Sequence, residues 1–96
     1  MMAQHTQKLI RRYIRMDPYR PTPDEAVVLP SSVKVWAIVG QLRAVNGDIG
    51  RVARGYDVTE DGVRAAIAYY DHHAAVIDNR LDANVTPVVR AQATRP

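Results

Sequence analysis

Residues 48 to 66 read Asp-Ile-Gly-Arg-Val-Ala-Arg-Gly-Tyr-Asp-Val-Thr-Glu-Asp-Gly-Val-Arg-Ala-Ala. Asp48 suits a helix N-cap, because its carboxylate can accept bonds from the free amides of a first turn. Ile49, Val52, Ala53 and Tyr56 then form one apolar face of a short helix ending near Gly55. Thr59 is the next N-cap, and Glu60 and Asp61 fall in a first turn where the helix dipole favours negative charge. Between the two helices Asp57 holds the turn position that glycine usually takes, and aspartate tolerates a left-handed backbone better than most residues. Ile49, Ala53, Val58, Val63 and Ala66 fall where a helix-turn-helix needs a small residue at the crossing and apolar residues inside each helix. A plain three-helix core satisfies the same pattern, so both readings stand.

Upstream, Val35, Ile38, Val39, Leu42 and Val45 recur at helical spacing from Lys34 onward, with Ser31 and Ser32 as the expected cap and Asn46-Gly47 as a left-handed stop. Four prolines between residues 17 and 30 forbid a continuous helix there, since each removes an amide donor and fixes φ. Tyr13 to Met16 and Ala26 to Leu29 are rich in β-forming residues, which predicts a small two-stranded element; Leu9, Tyr13 and Met16 also fit a helical stripe. Downstream, Val63, Ile67, Tyr70, Ala74, Ile77 and Leu81 follow at steps of three and four and predict one helix from about 60 to 83, ~35 Å long. A second stripe, Ala66, Tyr69, His73, Val76 and Arg80, runs beside the first. Two stripes on one long helix exceed what two shorter helices can cover, so the distal half is expected to pack on another chain. The expected fold is therefore mainly α: a three-helix helix-turn-helix core with a long C-terminal helix and a short N-terminal β element, dimeric through Tyr69, Tyr70, His73, Val76, Ile77 and Leu81. Residues 1–12 read as a basic arm, 13–83 as the domain and 84–96 as a flexible tail.

The chain has 96 residues, 47% hydrophobic and 24% charged, and no cysteine. This is enough for one small core and no more, and it removes disulfides, thiol catalysis and cysteine zinc sites. No run reaches the ~18 to 20 apolar residues of a membrane span, and the first residues lack a signal-peptide apolar region, so a soluble cytoplasmic protein is expected. The net charge is +3 with a pI near 9.6. Lys8, Arg11, Arg12, Arg15 and Arg20 against Asp17 give the first twenty residues +4, so the rest of the chain carries −1. That distribution points to nucleic acid. A recognition helix would meet base edges with its first turn, yet Glu60 and Asp61 stand there beside a lone Arg64, and phosphate repels them. Phosphate contacts are therefore expected from Lys8, Arg11, Arg12 and Arg15, with Arg51, Arg54 and Arg64 beyond them; a merely solvated basic face is the alternative.

Catalysis finds little support in the residues. His72 and His73 point about 100° apart on a helix and cannot readily share one ion, and no second ligand cluster accompanies them. Ser31 and Ser32 have no nearby histidine, and the glycines form no phosphate loop. No catalytic residue, metal or cofactor is expected.

The block Val35-Trp-Ala-Ile-Val-Gly-Gln-Leu-Arg-Ala-Val-Asn-Gly-Asp-Ile, with Val52-Ala53, Tyr56 and Val63-Arg-Ala-Ala-Ile-Ala-Tyr-Tyr70, resembles the bacterial and archaeal domain-of-unknown-function family numbered 433. The likeness spans about residues 13 to 83 and includes Asp17-Pro18, Val27-Val28 and Ile77-Asp-Asn-Arg-Leu81. Where that family usually has a glycine, threonine and arginine before an Ile-Pro-Val helix start, this chain has Pro30-Ser-Ser-Val-Lys-Val35. The resemblance implies an antitoxin of a type II toxin–antitoxin module that dimerises, neutralises a PIN-like ribonuclease and binds its own operator DNA. A basic, apolar-studded segment suits the acidic metal site of such a nuclease, and Val88, Val89, Arg90 and Arg95 have that chemistry, as does the N-terminal arm. A stand-alone DNA-binding regulator and a scaffold without nucleic acid remain the alternatives.

Overall fold

The structure, a computed structural model, describes the backbone of residues 2–93 and the side chains of residues 5–83. Its elements are α1 (Met2–Tyr13), β1 (Ile14–Arg15), a 3-10 turn (Pro23–Glu25), β2 (Val27–Val28), β3 (Val33–Lys34), α2 (Val35–Ala44), α3 (Ile49–Tyr56), α4 (Glu60–His72) and α5 (Ala74–Ala93). The three strands form a small antiparallel sheet in the order β1-β2-β3, with Ile14 opposite Val28 and Val28 opposite Val33. The expected β element is present and gains a third strand. Ser32 turns the chain between β2 and β3 at φ 59°, a left-handed position, so it does not cap α2. The N-cap of α2 is Lys34, which makes no side-chain capping bond.

The caps read from residues 48 to 66 are observed. Asp48 accepts a bond from the Arg51 amide at 3.1 Å and Thr59 accepts one from the Gly62 amide at 3.0 Å. Asp57 ends α3 in the left-handed conformation (φ 57°, ψ 47°), and Asn46 and Gly47 stop the chain after α2 in the same way. α4 is the central helix: α1, α2, α3 and the sheet all pack on it. At its start, a Cβ on Gly62 would lie 3.3 Å from the Val28 side chain, so glycine lets α4 seat closely on the sheet without displacing Val28.

Two expectations are corrected. Residues 1–12 were expected as a free arm, but α1 lies along α4 with Leu9 buried, because Leu9 and Ile10 supply apolar contacts that a solvated arm would waste. The single helix from 60 to 83 is in fact two. The backbone leaves helical geometry at His73 (φ −135°), and α5 packs across α2 and the 3-10 turn. No proline or glycine causes this break; tertiary contacts do. Ile77 is fully buried, and Leu81 meets α2 where a Cβ on Gly40 would come within 3.1 Å of its methyl group. α5 also continues to Ala93, past the point where the apolar pattern ends at Ala83.

Candidate functional site

The break at His73 redistributes the residues expected at a dimer interface. Tyr69 is buried in the core of its own chain, and its hydroxyl donates to the Pro23 carbonyl at 2.8 Å. Ile77 belongs to that core and Leu81 packs against it. Those three are corrected: the fold uses them internally, because α5 turns back instead of overhanging. Tyr70 donates its hydroxyl to Asp78 at 2.8 Å and accepts from Arg43, whose guanidinium also reaches Asp78 at 2.7 Å. This node ties α2, α4 and α5 together. His73 stacks its ring on Tyr69 with centroids 4.3 Å apart. Val76 alone among the six is well exposed, at 39%.

The node makes a prediction about acid stability. Arg43, and then Tyr70, hold the Asp78 carboxyl below its ordinary 3.8, and Lys34, followed by the Tyr19 amide, does the same for Asp17. A carboxylate depressed in the folded state stabilises it above the unfolded value and loses that contribution as pH falls through the lowered one. These two groups should therefore give the urea midpoint no pH dependence near neutrality, where their contribution is fully present, and a decline as pH falls below 3.8. An Asp78→Asn chain should show a shallower acid decline than the parent, and identical profiles would show that the node contributes nothing.

A second cluster was not foreseen. Glu25, only 4% exposed, sits between Lys34, at 3.0 Å from Oε1, and Arg80, at 2.7 Å from Oε2. Lys34 also reaches Asp17 at 2.7 Å and the Glu25 carbonyl at 3.1 Å. Burial would lower the Lys34 ammonium, but the bonds to Asp17 and Glu25 outweigh it and hold the group above its ordinary value. Arg80 lies over the Trp36 ring, 5.3 Å from its centroid. The network joins residues 17, 25, 34 and 80, which share no helical or strand period, so only the pairing of distant segments reveals it.

The basic residues expected on phosphate divide into two groups. Arg64 is engaged by Asp61 at 3.1 Å and Glu60 at 3.3 Å, so its charge is matched on α4 and it is withdrawn from the set. Lys8, Arg11, Arg12 and Arg15 lie on α1 and β1, and Arg51 and Arg54 on α3; all are exposed. Arg15 donates to the Arg11 and Ile14 carbonyls at 2.7 and 2.9 Å, and Arg12 lies over the Tyr13 ring. None of these six makes an ion pair with an acid among the described residues. Arg11 also lines a cleft between α1 and α4 with Gln7, Ile10 and His72.

Set against protein-family models, curated proteins and solved structures, the chain matches none. Val88, Val89 and Arg90, expected on a nuclease partner, lie on α5 with side chains outside the described residues, and Arg95 lies outside them altogether. No group of three His, Asp or Glu side chains among the described residues is arranged to hold a metal ion, and no helix searched is long and apolar enough to cross a membrane.

Proposed function

We propose that this protein is a regulator of antitoxin type, which holds duplex DNA through phosphate contacts and neutralises a ribonuclease partner. One observation carries the DNA half: once ion pairs are matched among the described residues, the uncompensated cations gather on α1–β1 and on α3. The acids nearest the start of α4 are meanwhile engaged by Arg64, which weakens the repulsion that their sequence position implies. Contacts of this kind position a protein on DNA without reading its bases. The ribonuclease half rests on the resemblance of residues 13 to 83 to an antitoxin-like family, and Val88, Val89 and Arg90 of α5 are the residues proposed to meet such a partner.

Salt dependence tests the reading. Duplex affinity should fall steeply as salt rises, because each phosphate contact releases about 0.9 of a counterion. An Arg51→Ala, Arg54→Ala double variant should reduce the slope of log K against log salt by about 2 in magnitude. Fluorescence anisotropy with a labelled duplex measures both. Absence of binding at low salt would overturn the DNA half, and absence of a ribonuclease gene beside this one, or failure of the co-expressed chain to relieve the growth arrest such a nuclease causes, would overturn the other.

A further inference from the structure

The loop from Asp17 to Pro23 presents Tyr19 with 93% of its surface exposed, an unusual state for a large aromatic side chain. The backbone beneath it is held firmly. Asp17 accepts the Tyr19 amide at 2.8 Å through its carboxylate and the Arg20 amide at 3.2 Å through its carbonyl, and the Thr22 amide bonds the Arg20 carbonyl at 2.8 Å. Asp17 is itself fixed by Lys34, which is anchored on buried Glu25. Pro18, Pro21 and Pro23 remove much of the remaining backbone freedom. A ring on such a mount loses little conformational entropy when it meets a ligand.

The surroundings of the ring indicate what it meets. Arg20 follows it directly with its side chain 70% exposed and only a 3.8 Å approach to Glu25. Arg15, four residues back, is within about 14 Å along even an extended chain. Of the neighbouring acids, Asp17 is bridged by Lys34 at 2.7 Å, and Asp24, in the 3-10 turn, has Arg80 at 3.8 Å. An exposed aromatic ring beside an exposed arginine, with the adjacent Asp17 engaged by Lys34, suits a nucleobase lying outside a duplex stack, with phosphates on the flanking arginines. We infer that Tyr19, with Arg15 and Arg20, is a stacking contact for an unpaired base of single-stranded nucleic acid. This rests on the reading that the chain binds nucleic acid through its arginines.

The test compares a fluorescein-labelled twelve-nucleotide oligothymidine with a labelled duplex of equal length, by anisotropy at low salt, for the full chain. Tyr19→Ala should weaken single-strand binding about tenfold while leaving duplex affinity unchanged. Tyr19→Phe should bind as the parent does, since the ring and not the hydroxyl stacks. The side chain is almost wholly in solvent, so circular dichroism of both variants should match the parent. Equal single-strand affinity of Tyr19→Ala and the parent, with the salt slope of duplex binding still reduced in the Arg51, Arg54 variant, would overturn the stacking role and leave the DNA reading standing. Binding of neither probe by the parent would overturn both.

Discussion

An Ile77→Ala chain should unfold with a loss of about 3 kcal/mol, within the 2 to 5 kcal/mol of buried large-to-small substitutions. Ile77 has no exposed surface and stands in the core cluster, so truncation removes three carbons from close packing and leaves a void. Against a total stability of roughly 5 to 10 kcal/mol for a domain this size, that is a large share. Urea titration followed by Trp36 fluorescence measures it. The same substitution separates two architectures. If α4 and α5 were one overhanging helix with Ile77 at a dimer seam, stability would become concentration-dependent and the variant would dissociate in sedimentation. The observed fold expects a concentration-independent loss.

Replacing Glu25 by alanine should cost about as much, in the range of roughly 3 to 5 kcal/mol that follows when one partner of a buried ion pair is removed. Lys34 and Arg80 would lose the carboxylate that sits between them, and both retain less than a third of their side-chain surface in water. Glu25→Gln should be milder, because the amide keeps the volume and one acceptor. Replacing Glu25, Lys34 and Arg80 together by apolar residues of similar size should recover much of the loss, since the well-packed apolar equivalent of a buried ionic cluster is often as stable. A Glu25→Ala chain as stable as the parent would show that water compensates the cluster.

These two residues also mark where sequence reasoning reaches its limit. Residues 48 to 66 were legible because each signal is local: a capping carboxylate, a left-handed turn residue, a hydroxyl three positions before an amide. Ile77 was legible as apolar and helical, but its partner was not, because periodicity states which face is buried and never against what. The helix boundary at His73 is set by α5 finding α2, which no residue between 70 and 76 announces. One signal was present: Gly40, following the apolar run Val35 to Val39 of α2, marks where Leu81 approaches closely. In the candidate site the basic residues were legible as a list, but which of them remain uncompensated was not, since Asp48 precedes Arg51 by three residues just as Asp61 precedes Arg64, yet the first carboxylate caps a backbone amide and only the second closes an ion pair. Glu25 was invisible as a buried charge, because its two cations arrive from nine and fifty-five residues downstream.

The interruption at His73 also governs the order in which the molecule comes apart. In an unbroken rod, unwinding from the C-terminal end would pass along the hydrogen-bond ladder directly into α4, on which most of the fold leans. Here the ladder is broken, and α5 is fastened sideways by Ile77, Leu81, the Arg43–Asp78 bridge and the Arg80–Glu25 bridge. Those fastenings can release as one unit while α4 keeps its own turns, so α5 is a separable foldon and α4 is insulated from it. In hydrogen-exchange language, the amides of α5 should report a subglobal opening and those of α4 the global one.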